Sequence, residues 1–268
     1  MKIARIRIGN ALGEIHYARP VDIEGKSLEI LSGDPFQGFH PTGRIVTEFT
    51  LLAPIVPSAI LCIGLNYRRH AGEMGAKVPK FPVLFFKNPS ALQDPGAPIL
   101  IPRKLASTQV DFEGELAVVI GKSCRNVSRE NALSHVLGYT AANDVSARDW
   151  QKEWGGSQWC RGKSFDSFAP TGPWIVTTDE IPNPNALRIT TRVNGEVLQD
   201  SNTADMIFDV PALIEFLSSD TTLPAGTLIM TGTPEGVGMG RTPQRWLQKG
   251  DQVRIEIEKI GILSNPVS

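Results

Sequence analysis

The chain is cut into short apolar runs, and this limits what it can fold into more than any other feature. AILCIGL (59–65), VLFFK (83–87), PILIP (98–102), ELAVVIG (115–121) and GPWIVTT (172–178) are each bounded by glycine, proline or asparagine, as strands tend to be. GTLIMTG and DQVRIEIEKIG add two more near the end. LRITTRVNGEVLQ predicts a hairpin, because Asn194-Gly195 accepts the positive φ of a type I′ turn between two alternating segments. At the start, KIARIRI alternates polar and apolar, EIHYARP follows after GNALG, and SLEILS adds a further strand. Pro54 and Pro57 mark a handover, so the expected organisation is a small β-rich N-terminal domain, 1–57, followed by a main domain, 58–268. Two helices are expected: RENALSHVL, capped by Ser128 with Ala132, Leu133, Val136 and Leu137 on one face and Gly138 as its stop, and VPALIEFLSS, opened by Asp209 and Pro211. On the first helix His135 would face solvent. The fold class is mainly β with accessory helices, α+β.

Composition narrows the function. The 27 Lys and Arg nearly balance the 28 Asp and Glu, and no basic block stands out, so nucleic acid and anionic membrane are poor partners. No apolar run approaches the roughly 18 to 20 residues of a membrane helix. Cys62, Cys124 and Cys160 are odd in number and far apart, which suggests neither a disulfide framework nor a zinc knuckle. With no signal-peptide pattern at the N-terminus, a cytoplasmic protein is expected.

Against this background VDFEGELAVVIGK, 110–122, is unusual. Asp111, Glu113 and Glu115 stand at the head of an apolar strand, where alternate side chains share a side, and buried carboxylates need a cation. Asp144, in YTAANDVSARDW, could add a third oxygen ligand beside Glu113 and Glu115, a set that suits Mg²⁺, Mn²⁺ or Ca²⁺ rather than zinc. An isolated acidic pair on a strand is more often a solvated face. His70 and Glu73, three apart in CIGLNYRRHAGEMG, could hydrogen-bond on a helical turn and leave one ring nitrogen free to take a proton; a surface pair is the ordinary alternative. Lys163, in a glycine- and aromatic-rich stretch, could balance a substrate anion or a developing enolate. Arg148 and Gln151 could grip a carboxylate. Trp150, Trp154 and Trp159 offer an apolar wall or plain packing. TGTPEGVGMG, 231–240, lacks the lysine-serine pair of a phosphate loop, although its backbone N–H groups could cradle a carboxylate.

Taken in order, GLNYRRHAGEMG, PVLFFKNPSAL, VDFEGELAVVIGK, NDVSARDWQ, GKSFDSFAPTGPW, RVNGEVLQDSNTADMIF and TGTPEGVGMG resemble the fumarylacetoacetate hydrolase superfamily from about residue 58 to 268. The resemblance implies a mixed β-roll, a homodimer, and a divalent Mg²⁺ or Mn²⁺ held by Glu113, Glu115 and Asp144. It also implies a base dyad of His70 and Glu73, and substrate contacts from Lys163, Arg148, Gln151 and Thr233. Asp111 has no ligand role in that pattern. The implied substrates are 2-oxo acids and their enols, with the metal as Lewis acid. C–C bond hydrolysis of acylpyruvate or fumarylacetoacetate-like substrates is the first expectation. Oxaloacetate tautomerisation or decarboxylation and 2-hydroxyhepta-2,4-diene-1,7-dioate isomerisation share the chemistry. A silent, metal-stabilised binder of small acids is the non-enzymatic alternative, disfavoured because a structural metal needs no base.

Overall fold

The computed structural model describes residues 1–154 and 156–268. Strands dominate: β1 (Lys2–Arg7), β2 (Ile15–Pro20), β3 (Leu28–Asp34), β4 (Gly38–Val46), β5 (Ile60–Gly64), β6 (Val83–Lys87), β7 (Gly114–Ile120), β8 (Val136–Asn143), β9 (Ala169–Thr177), β10 (Arg188–Val193), β11 (Glu196–Asn202), β12 (Leu228–Met230), β13 (Gln252–Ile257) and β14 (Gly261–Pro266). Three short helices accompany them, α1 (Arg68–Glu73), α2 (Trp159–Lys163) and α3 (Val210–Ser218). The fold is mainly β with few helices, as the short apolar runs require.

A twelve-stranded sheet runs β4-β3-β2-β1-β9-β8-β7-β12-β5-β6, with two further short strands on its flanks. Most pairs are antiparallel, but β12 lies parallel to β5, which makes the sheet mixed. The N-terminal strands join it through β1, which pairs with β2 on one side and β9 on the other. A second sheet, β11-β10-β13-β14, packs across the middle of the first. Every residue of β7 is buried, as expected of a central strand covered on both faces. At Gly114 the two sheets approach closely: a Cβ there would lie 2.1 Å from Thr191 Oγ1.

The Asn194-Gly195 turn forms with φ of 53° and 88°, joining β10 to β11. Asp209 caps α3 by accepting from the Ala212 N–H, with Pro211 in the first turn. The segment after Ser128 departs from expectation. It makes a 3₁₀ turn over Arg129–His135 without a Ser128 cap bond, and Val136 already begins β8. Sheet pairing overrides the helical pattern, since Tyr139 lies opposite both Val118 and Val176. Gly138 is therefore no helix stop; a Cβ there would sit 2.3 Å from Val176 O. His135 is half-buried rather than solvated. PILIP also stays outside the named strands, contributing a single bridge from Ile99 to Val267.

Candidate active site

At the head of β7 the chain brings Glu113, Glu115 and Asp144 together, with one ligand oxygen from each within 4.8 Å of the others. Local backbone bonds fix them: Glu113 N–H donates to Asn143 Oδ1, and Asp144 N–H donates to Glu113 O. All three side chains are buried.

Buried cations balance part of this charge. Lys163, at the end of α2, donates to Glu113 Oε2 at 2.8 Å, Asp144 Oδ2 at 2.7 Å and Ser146 Oγ at 2.7 Å, engaging all three of its protons. Gly162 permits this placement, because a Cβ there would meet Gln151 N at 2.6 Å. Lys87, at the end of β6, is the second cation, one that the sequence pattern does not mark. Its Nζ lies 2.7 Å from Asp144 Oδ1. Its protons go elsewhere, to the carbonyls of Val145 (3.0 Å), Lys163 (2.5 Å) and Phe168 (2.8 Å). Asp144 Oδ1 thus faces a positive charge at close range, yet no donor among the described residues is well aligned to it. A buried carboxylate oxygen with its lone pairs free, beside two further carboxylates and no nitrogen or sulfur donor in the set, fits a hard divalent cation.

The third cation, Arg148, was expected to grip substrate. Its Nε and Nη2 instead donate to Asp111 Oδ2 at 2.9 and 2.8 Å, Nη2 also reaches Glu113 Oε1 at 2.6 Å, and Nη1 donates to Gln151 Oε1 at 3.0 Å. Arg148 thus braces the site's own carboxylates while still lining the cavity, as Gln151 does. By accepting from Arg148 through Oε1, the Gln151 amide leaves its NH₂ free to donate. Thr233 lines the same cavity, but its hydroxyl donates to Gly114 O and accepts from Gln199 Nε2.

The glycine-rich loop 231–240 does cradle carboxylates, and they are the protein's own. Gly232 N–H donates to Glu115 Oε2 (2.8 Å), Gly236 N–H to Glu73 Oε1 (2.9 Å), and Gly238 and Met239 N–H to the two oxygens of Asp111 (2.7 and 3.1 Å). Asp111 is wholly buried, neither solvated nor a member of the triad, and joins this loop to Arg148.

The dyad forms on α1. His70 Nδ1 lies 3.0 Å from Glu73 Oε2, and His70 is 6% exposed. With Nδ1 held, Nε2 is the nitrogen left for chemistry. His70 lines a cavity of about 150 Å³ together with Glu113, Glu115 and Lys163. Its apolar side includes Phe85, Trp159, Met74 and Met239. Trp159 packs edge-on to Phe85, and Gly64 makes room for it. Trp150 and Trp154 pair with each other instead.

Electrostatics differ sharply among the acids. Burial alone would push the Glu113 carboxyl up, but Arg148 and Lys163 outweigh it and hold it well below the usual range. Glu115 is raised well above that range by burial and then by the charges of Asp144 and Glu113. Burial lowers Lys87, with Asp144 opposing, whereas Asp144 and Glu113 outweigh burial and raise Lys163. A divalent cation next to Glu115 would relieve the like-charge crowding that its neighbours impose.

The mixed roll and the carboxylate cradle behind a histidine–glutamate dyad define a class, and sequence comparison agrees. Residues 59–268 match the family described as fumarylacetoacetate (FAA) hydrolase C-terminal, and the chain belongs to that family. It is 50% identical over 222 residues to oxaloacetate tautomerase fahd2, mitochondrial, of Xenopus laevis, covering 82% of this chain and 69% of that one. Among solved structures it resembles the 2-hydroxyhepta-2,4-diene-1,7-dioate isomerase of Mycobacterium marinum, with 40% identity, a TM-score of 0.85, and coverage of 100% of this chain and 98% of that one. It likewise resembles the fumarylacetoacetate hydrolase of Exiguobacterium antarcticum, with 38% identity, a TM-score of 0.87, and coverage of 99% of each chain.

Proposed function

We propose that this enzyme tautomerises small 2-oxo acids, with oxaloacetate as a substrate, using Mg²⁺ or Mn²⁺ at Glu113, Glu115 and Asp144, with Ca²⁺ as a possible substitute. The observation that carries the reading is the held imidazole of His70, which shares a small cavity with the carboxylate cradle. The bound ion would supply Lewis-acid stabilisation of negative charge on substrate oxygens. His70 Nε2 would take a proton from the carbon beside the carbonyl and return it at the oxygen, or the reverse. Glu73, itself fixed by the Gly236 N–H, stabilises the imidazolium in between. Lys163 keeps the cradle's oxygens in place, and Phe85, Trp159 and Met239 limit water.

Tautomerisation consumes no water, which suits the apolar wall, and the amphibian relative's activity supports it ahead of C–C hydrolysis. Isomerisation of hydroxydienedioates, the activity named for the Mycobacterium marinum structure, uses the same proton transfer and is the second reading. Loss of enol-oxaloacetate absorbance with Mg²⁺ present, set beside acylpyruvate cleavage and dienoate isomerisation, ranks the three. His70→Ala should cut turnover by roughly 10²- to 10⁴-fold while Mn²⁺ affinity stays near wild type. Glu115→Ala should lose both together. Wild-type protein that binds Mn²⁺ but turns over none of these substrates would reject the enzymatic reading.

A further inference from the structure

Among the described residues, one cation of the cavity has no carboxylate partner. Arg148 and Lys163 are each tied to carboxylates. Lys152 lines the same cavity from the Asp149–Glu153 turn, remains exposed, and has no carboxylate partner among the described residues. That turn is π-helical, a rare geometry found mostly at functional sites. Its preceding residue, Arg148, takes Gln151 Oε1, so the Gln151 NH₂ donors stay available next to Lys152 in sequence.

The other cations of the cavity region already face carboxylates: Lys87 meets Asp144, Arg148 meets Asp111 and Glu113, and Lys163 meets Glu113 and Asp144. Lys152 is thus the cation left to meet an anionic group of the substrate that the carboxylate cradle and its ion do not take.

Resting on the proposed 2-oxo acid chemistry, we infer that Lys152, assisted by the Gln151 amide, receives the distal carboxylate of a dicarboxylic substrate and so selects dianionic over monoanionic 2-oxo acids. Partial desolvation and the nearby Arg148 charge lower the Lys152 pKa, with Glu113 and Asp111 opposing. Lys152 is a specificity residue; the proton transfer belongs to His70.

The test uses the Mn²⁺-loaded protein and Lys152→Gln, with Lys152→Arg as the conservative control. Calorimetric titration compares L-malate, a dicarboxylate, with 2-hydroxybutanoate, its monocarboxylic analogue. Turnover compares oxaloacetate with its 4-methyl ester. Lys152→Gln should weaken malate binding about tenfold, equivalent to about 1.4 kcal/mol, and raise KM for oxaloacetate similarly with kcat little changed. The monoanions should move less than about twofold, Lys152→Arg should retain the preference, and added salt should erode it. Equal losses for both ligands, or none, would overturn the assignment. Should wild type turn over neither oxaloacetate nor the ester, the proposed reaction fails, while the malate titration still decides the role of Lys152.

Discussion

Asp111→Ala removes one carboxylate that accepts five hydrogen bonds. Two come from Arg148, and the others from the backbone N–H groups of Phe112, Gly238 and Met239. The site is fully buried, so water cannot replace the lost acceptor without rearrangement. Breaking a buried ion pair by removing one partner costs about 3–5 kcal/mol. An orphaned buried amide costs about 1–3 kcal/mol, and here two loop amides are at stake, so the two routes to the magnitude overlap near 4 kcal/mol. Arg148 keeps Glu113 and Gln151, which argues against the upper extreme. At about 2–4 °C per kcal/mol for a domain near this size, the melting temperature should fall by about 8–16 °C. Because the same loop holds Glu115 and Glu73, amide exchange at 232–239 should accelerate well beyond that elsewhere in the sheet. Thermal melts with hydrogen–deuterium exchange resolved by segment would measure both. A melting point within about 3 °C of wild type, with loop exchange unchanged, would refute the view that Asp111 anchors the loop to Arg148.

Three further perturbations follow from the same geometry. In Gly240→Ala the new Cβ would lie 2.5 Å from Glu73 Cδ and 2.6 Å from Oε1, so the Glu73 carboxylate has to shift; if that shift carries it off His70, kcat should drop on the order of 10²-fold with Mn²⁺ affinity intact, and an unchanged kcat together with a displaced Glu73 would show that Glu73 does not orient the base. Burial pushes the Asp251 carboxyl up, but Arg245, the Gln248 N–H and Asn194 outweigh it and leave it below the ordinary value. Its contribution is therefore present above the unfolded carboxylate pKa of about 4 and lost as pH falls through the lower folded value; urea melts should show Asp251→Asn less stable than wild type near about pH 7, with the gap closing toward about pH 3. For assembly, β6 is the last strand of the large sheet and leaves Leu84 and Phe86 exposed next to Phe81 and Phe216. If this edge seats the expected homodimer, Phe86→Lys should shift sedimentation from dimer to monomer at micromolar concentration, and a wild-type monomer would reject the dimer.

Much of the fold was legible because it rests on local signals. Asn194-Gly195 fixes its turn through backbone sterics, Asp209 caps its helix through one side-chain oxygen, and the apolar runs mark strands whatever their neighbours. What failed depended on distant pairing. Val136 to Gly138 read as the end of a helix because the periodicity of RENALSHVL is helical, and only the flanking strands β7 and β9 turn that segment into β8. The three triad residues and the dyad were visible as residue types in a pattern. Lys87 was not, because a lysine closing an apolar strand looks like an ordinary solvated strand end. One signal lay in the sequence: VLFFK precedes Asn88-Pro89, where the chain turns sharply, so the last side chain of the strand need not face water. Its true environment, three carbonyls from two separate segments, has no local trace.

The division of labour among the charges explains why the site tolerates four carboxylates in so small a volume. Lys163 and Arg148 neutralise Glu113 from opposite sides, which keeps it ionised without an added ion. Lys87 offers Asp144 its charge but not its protons, which leaves Oδ1 open. Among the described residues Glu115 accepts only the Gly232 N–H, and it bears the repulsion of the other two. Of the three, Glu115 is thus the residue whose charged form most needs an external cation, and its loss should separate metal binding from folding most cleanly. Glu113 works in the opposite sense: removing it would take one carboxylate from each of two buried cations, leaving Lys163 with Asp144 and Arg148 with Asp111, so a Glu113 variant should report on stability as well as on metal. Triad membership alone would treat these residues as equivalent, whereas their partners assign them different tasks.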